Sequence, residues 1–369
     1  MDLQRIGILG GGQLGRMLAL AGYPLGLRFR VMDPSPQAPA GHVAELFCGA
    51  YDDLTALDRF AADLAAVTYE FENVPVQTAR LLSKTVAVYP PPQALETAQD
   101  RLNEKTLFQK LGIETPPFAP VVSLDELQAA VAYIGLPAVL KTRWLGYDGK
   151  GQAVLRAPDD VERAHQALRG SDLILEGFVP FQRELSILGV RGKSGEAVFY
   201  PLVENHHRDG ILRLSLAPAT RTTLQQRAEQ ICTDVMRALD YVGVLAIEFF
   251  EFNGKLLANE MAPRVHNSGH WTIEGAGTSQ FENHIRAVAG LPLGSTQCRG
   301  FSAMVNLIGA LPDLQRVLEI PRVHAHYYGK SAAPGRKLGH LNILAESETA
   351  RAETLRALAQ LPGVLAVGS

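Results

Sequence analysis

The stretch EMAPRVHNSGHW, residues 260–271, brings a carboxylate, an arginine, two histidines and an asparagine into a dozen positions. Pro263 and Gly269 interrupt it, so it is no amphipathic helix, and it has too few apolar residues for a buried strand. Taken alone it reads as solvated loop. Its chemistry depends on what precedes it. Glu248 interrupts VLAIEFF and Glu260 follows LLAN, so each acid is set in apolar surroundings, and Asn253-Gly254 between them reads as a hairpin turn. A three-residue turn pairs 248 with 260. A two-residue turn pairs Glu248 with Asn259 and sends Glu260 to the other face, unless a bulge corrects the register. Directly opposed carboxylates lie about 5 Å apart and repel by roughly 3 kcal/mol at an effective dielectric near 20. A cation relieves that repulsion, and Mg²⁺ typically uses one or two carboxylates together with substrate phosphates. Otherwise one of the two glutamates points to solvent. His266 and His270 stand four apart, a zinc-pair spacing, but without the helix that spacing needs.

A second set of groups fits a nucleotide. Lys141 ends the apolar strand PAVLK, and GYDGKGQ follows with three glycines whose amides can approach phosphate oxygens closely. Glu176, in LILEGFV, and neighbouring backbone groups can bond an adenine edge, and Glu184 can take ribose hydroxyls. Singly, each also reads as a surface acid or an ordinary hairpin loop. Near the N-terminus, Gly10-x-Gly12-x-x-Gly15 with Asp33 after the next strand is the local fingerprint of a dinucleotide site. Gln13 would crowd a dinucleotide there, and the richer downstream set argues against a nicotinamide cofactor. A nicotinamide-dependent oxidoreductase is therefore the minor alternative.

The elements that must position these groups follow from the pattern. RIGIL, LRFRVMD and AAVTYEFENV are strands separated by helices, which predicts a parallel sheet covered on both faces. VYPPPQAL breaks the chain near 88–95, and the helix QDRLNEKTLFQKLG follows it. LPAVLKTR, GQAVLRA and DLILEGFV read as strands, with a helix near 159–169, and a tail from about 300 mixes strands such as GHLNIL with a last helix. The composition, 47% hydrophobic and 20% charged over 369 residues, is that of a folded protein with two or three cores. A net charge of −3 supplies no basic field for nucleic acid, so an anion must be held by local groups. Cys48, Cys232 and Cys298 lie far apart without a CxxC, which fits a reducing compartment. MDLQRIGILGGG reads as neither signal peptide nor membrane span, so a cytoplasmic protein with no membrane partner is expected.

A lysine on a strand, a glycine loop, a hinge glutamate and two candidate metal glutamates closing into NEMAPR resemble the ATP-grasp superfamily. GYDGKGQ, PRVHNSGHW and PGRKLGHLN together resemble one branch, the purine-biosynthetic ligases that carboxylate an aminoimidazole ribonucleotide, from GILGGGQLGRML through GHLNIL. The resemblance implies an α/β and α+β architecture: a Rossmann-like domain over 1–97, an ATP-grasp domain with its lid over 98–295, and a small C-terminal domain over 296–369. It implies ATP, bicarbonate and 5-aminoimidazole ribonucleotide as substrates, Mg²⁺ as cofactor, and a homodimer. Arg101 and Lys141 would contact ATP phosphates, and Gly146, Tyr147, Asp148, Gly149, Lys150, Gly151 and Gln152 would form the lid. Glu176, Gly177, Phe178 and Val179 would hold adenine and Glu184 the ribose, with His207 nearby. Glu248 and Glu260, beside Asn259, would carry the metal. The ribonucleotide would meet Gln13, Leu14, Glu70, Tyr147, Asp148, Arg264, His266 and Asn267, with Lys330, Arg336 and Lys337 on its phosphate. Arg264 would hold bicarbonate in a bidentate fork, and Asp148 would orient the amine and take its proton, with His266 as the competing base. Leu145 departs from members with another glycine before GYDG. The nearest rival in the superfamily is a formate-using ligase acting on glycinamide ribonucleotide.

Overall fold

The computed structural model describes residues 4–146, 150–220 and 222–364. Strands β1 (Arg5–Leu9), β2 (Arg28–Asp33), β3 (Glu45–Cys48) and β4 (Ala66–Tyr69) form a parallel sheet in the order β3-β2-β1-β4, as the strand–helix alternation predicts. Its central strands are apolar on both faces: Ile6, Ile8 and Leu9 are fully buried. A second sheet, all antiparallel, contains β5 (Phe118–Val121), β6 (Ala138–Thr142), β7 (Gln152–Leu155) and β8 (Leu173–Gly177) in the order β5-β8-β6-β7. The helices Leu124–Ile134 and Asp160–Ala167 cover it, around Val121, Leu127, Leu140 and Leu175.

The third sheet is the frame of the molecule. It contains β9 (Arg183–Arg191), β10 (Ala197–Phe199), β11 (Val203–Arg208), β12 (Ile211–Ala217), β13 (Gly243–Phe252), β14 (Lys255–Ala262), β15 (Phe301–Ile308), β16 (Val323–Tyr327) and β17 (Lys337–Ala345). The order is β14-β13-β9-β11-β12-β15-β17-β16, with β10 on β9. The segment after residue 296 therefore adds its strands to this sheet through β12 and β15, while keeping an apolar cluster of its own around Leu307, Val317, Leu341 and Leu358. β14 is an edge strand. The helix Arg101–Lys110 packs along it, which covers what would otherwise be an open edge.

One buried histidine ties the first sheet to the third. His284, on the helix Gln280–Ala289, accepts a hydrogen bond from Val244 N at Nδ1 (3.1 Å) and so carries its proton on Nε2, 2.8 Å from Thr68 Oγ1. Burial pushes its pKa down to about 3, so it is neutral at physiological pH. His284→Leu would leave the Thr68 hydroxyl and the Val244 amide unpaired in the interior. The expected loss is about 1–3 kcal/mol, read as a lower urea midpoint; an unchanged midpoint would count against this tie.

Candidate active site

The hairpin settles the register question in the less obvious way. Phe252 pairs with Lys255, so the turn has two residues, Asn253 and Gly254, both at positive φ (50° and 72°). That is the backbone a tight Asn-Gly turn requires. The register then shifts between Glu248 and Phe249: Phe249 faces Ala258, Glu248 faces Glu260, and Asn259 is the extra residue of a β-bulge. The bulge keeps Glu260 opposite Glu248 and brings the Asn259 side chain to the same cavity.

Charge is distributed unequally over the pair. Glu260 Oε2 lies 2.8 Å from Arg101 Nη1. Burial alone would raise its pKa, but Arg101, followed by Lys141, brings it down to about 2. Among the described residues no arginine pairs with Glu248; burial and the Glu260 charge push it up to about 7, against a smaller pull from His207. His266 stands on the far side, Nε2 at 3.4 Å from Glu248 Oε1. Its Nδ1 accepts from Ser268 N (3.3 Å), which puts the ring proton on Nε2, toward Glu248. Burial and Arg264 lower its pKa to about 3. In this geometry His266 is a neutral donor. His207, in contrast, is raised to about 9: burial opposes the charge, but Glu184 at 3.0 Å and Glu248 outweigh it.

Two cavities meet at this cluster. The smaller, about 280 Å³, is lined by Lys141, Lys150, Gln152, Glu176, Gly177, Phe178, Val179, Glu184 and Asn259. Glu176 is 2% exposed; burial would raise its pKa, yet Lys105, Lys141 and Arg101 bring it to about 2. The larger, about 380 Å³, is lined by Gln13, Leu14, Gly146, Arg264, His266, Asn267 and Lys337 among others. Arg101, His207, Gly210, Glu248 and Glu260 belong to both. The shared wall is thus the charged cluster itself. Gly151, at φ +70°, closes on Thr142 beside the first cavity. Tyr147, Asp148 and Gly149 lie outside the described residues.

The N-terminal glycine turn is occupied by the protein's own carboxylates. Glu70 accepts from Gly12 N and from Gly15 N (2.6 Å), and Asp33 accepts from Gly11 N (2.8 Å). A Cβ on Gly12 would overlap Glu70 Oε1, so this glycine serves close packing against an acid. Amides spent in this way are not available to a dinucleotide pyrophosphate. Lys330 Nζ bonds Gln13 Oε1 at the same place, whereas Arg336 is exposed and donates to Ser331 O at 3.3 Å. Arg264 is partly engaged: Glu72 binds its Nε and Val265 O takes its Nη1 (3.0 Å). The bidentate fork expected from sequence would use the remaining N–H groups, on Nη1 and Nη2. Glu72, Glu104 and Lys105 belong to no motif of the sequence, although 101, 104, 105 and 108 share one helix face and three of the four are charged.

A nucleotide-sized cavity between two antiparallel sheets, with opposed glutamates at its end, defines an ATP-grasp enzyme. The model of the ATP-grasp domain matches residues 106–281, that of the ribonucleotide synthetase preATP-grasp domain residues 3–99, and that of the phosphoribosylaminoimidazole carboxylase C-terminal domain residues 302–354. The chain is 56% identical to the N5-carboxyaminoimidazole ribonucleotide synthase of Pseudomonas aeruginosa, over 92% of this chain and 94% of that one. It is 48% identical to that of Brucella melitensis, over 91% and 95%. The crystal structure of the synthetase from Thermus thermophilus superposes with a TM-score of 0.93 at 60% identity, covering 96% and 98%. That of the Aspergillus clavatus enzyme, in complex with ADP and 5-aminoimidazole ribonucleotide, does so at 0.89 and 32% identity, covering 97% of each. The chain belongs to the N5-carboxyaminoimidazole ribonucleotide synthase family of ATP-grasp ligases.

The raised Glu248 has a signed consequence for stability. Its folded pKa of about 7 exceeds the ordinary 4.5, so the folded state holds the extra proton between these values. Stability present below the lower value is lost as pH rises through the upper one. In divalent-free buffer, Glu248→Gln should exceed the parent in stability at about pH 8, by on the order of 2 kcal/mol, with the gap closing toward about pH 5. Parallel pH profiles by thermal denaturation would refute the assignment.

Proposed function

We infer that the protein catalyses the ATP-dependent carboxylation of 5-aminoimidazole ribonucleotide to N5-carboxyaminoimidazole ribonucleotide, a step of purine biosynthesis. The observation that carries this reading is the charged wall common to both cavities, because it lets a terminal phosphate in one meet an acceptor in the other. In this reading ATP fills the smaller cavity, with adenine at Glu176 to Val179, ribose at Glu184, and phosphates at Lys141 and Arg101. The ribonucleotide fills the larger one between Gln13, Leu14, Asn267 and Arg264, its phosphate toward Lys330, Lys337 and Arg336.

The carbon source in this reading is bicarbonate, a poor electrophile because it must expel a hydroxide-like group. Transfer of the γ-phosphoryl group to a bicarbonate oxygen gives ADP and carboxyphosphate. The imidazole amine then attacks the carboxyphosphate carbon, the C–O bond to phosphate breaks, and the amine proton passes to Asp148. Such a sequence asks the protein chiefly for positioning and charge neutralisation. Arg264 directs Nη2 at the anion. Neutral His266, donating toward Glu248, orients that acid and does not compete for the proton.

The acids fit a divalent ion. Glu248 and Glu260 face each other, burial and their repulsion hold one of them partly protonated, and Asn259 Oδ1 is buried with no hydrogen-bond partner among the described residues. These three side chains would hold Mg²⁺, which would supply positive charge to the transferring phosphate. We place the enzyme in the cytoplasm and expect a homodimer; no helix among the described residues is long and apolar enough to cross a membrane.

Phosphate release tests the reading. It should require ATP, bicarbonate and aminoimidazole ribonucleotide together, and fall to background when bicarbonate is removed by degassing. Equal release with formate and glycinamide ribonucleotide would transfer the protein to the formate-using branch.

A further inference from the structure

Glu176 carries two lysines on one oxygen. Lys141 Nζ lies 3.0 Å from Oε2 and Lys105 Nζ 3.3 Å from the same atom. Their settings differ. The Lys141 side chain is 12% exposed and lines the nucleotide cavity, while Lys105 is sealed at 0% on the helix Arg101–Lys110. Lys105 also donates to Ala258 O at 3.3 Å, and Glu104, beside it, accepts from Met261 N at 2.5 Å. The two side chains thus grip the free edge of β14 on either side of the bulged pair Asn259 and Glu260. A buried ammonium with no aqueous access has no substrate to meet, so its value must lie in what it holds.

We propose that Lys105 is a positioning residue that serves as the resident counter-ion of Glu176, so that Lys141 is free to leave that carboxylate for the nucleotide phosphates. The inference rests on the phosphate role given to Lys141 above. An isolated carboxylate at 2% exposure binds any cation within reach very strongly, because burial removes the water that would otherwise solvate it. With Lys105 in place Glu176 stays neutralised when Lys141 departs, and repulsion between the two ammonium groups favours the departure. Without Lys105, moving Lys141 to a phosphate would strip Glu176 of its nearest charge. Lys141 would then be a structural lysine. The same contact joins the strand that carries Glu176 to the strand that carries Glu260, so the base end and the phosphate end of the cavity share one anchor.

The test uses the full chain and compares Lys105→Met, Glu176→Gln, the double variant and Lys141→Met. The readouts are the Kd for Mg-ATP, by calorimetry without bicarbonate, and the Kd for aminoimidazole ribonucleotide. Lys105→Met should weaken ATP by about tenfold or more and leave ribonucleotide binding within about threefold. Against Glu176→Gln, which carries no charge to neutralise, adding Lys105→Met should change ATP binding by less than about threefold. This second comparison stands even where the single lysine variant fails to fold, because Glu176→Gln keeps Glu104 beside Lys105 and the double variant removes both members of the buried Lys105–Glu176 pair. A tenfold loss persisting in the Glu176→Gln background, or a parallel loss of ribonucleotide binding, overturns the counter-ion role. Unchanged ATP binding by Lys141→Met instead overturns the phosphate reading, and the proposal with it.

Discussion

The repulsion between two carboxylates on neighbouring strands is the constraint around which the molecule is arranged. Glu248 and Glu260 face one another at the junction of two cavities, and neither can ionise freely without a cation. Arg101 neutralises one of them within the protein, which leaves Glu248 near neutral pH as the acid that responds to an added charge. A divalent ion arriving with a nucleotide would resolve the conflict, so substrate binding and relief of internal strain become the same event.

The surrounding framework makes that conflict stable enough to persist. A bulge at Asn259 corrects the register of a two-residue hairpin, and the helix Arg101–Lys110 grips the strand edge on both sides of it. Buried charged side chains are costly unless paired. Here they are paired in sequence: Lys105 and Lys141 on Glu176, Arg101 on Glu260, Glu72 on Arg264. The result is a chain of alternating charges running from one cavity to the other. Phosphoryl transfer rewards such preorganised charge, because little covalent work remains for the protein to do.

Much of this was legible in the residues. The strand–helix alternation of the first hundred residues, the strands that carry Lys141 and Glu176 and the Asn-Gly hairpin all follow from local pattern, and the opposed glutamates were visible as acids embedded in apolar runs. The register was not. Both turn lengths were open, and the bulge is held by Glu104 and Lys105, which belong to a helix some 150 positions earlier. Charged residues on a helix read by default as its solvated face, and that default hid both. The strand Val203–Arg208 escaped for a related reason, since VENHHR shows no apolar alternation although its sheet buries it in part. The glycine fingerprint is a third case: its local shape is that of a dinucleotide site, Gln13 and the downstream groups already argue against one, and Asp33 and Glu70 fill it from elsewhere in the fold.

A crystal of the protein grown with Mn²⁺ and ADP, measured for the anomalous signal of manganese, tests the central claim most directly. The account predicts one strong peak within coordination distance of both Glu248 and Glu260, with Asn259 adjacent and Arg101 still in contact with Glu260. A peak bound by other side chains, with these two acids turned away from each other, would contradict it.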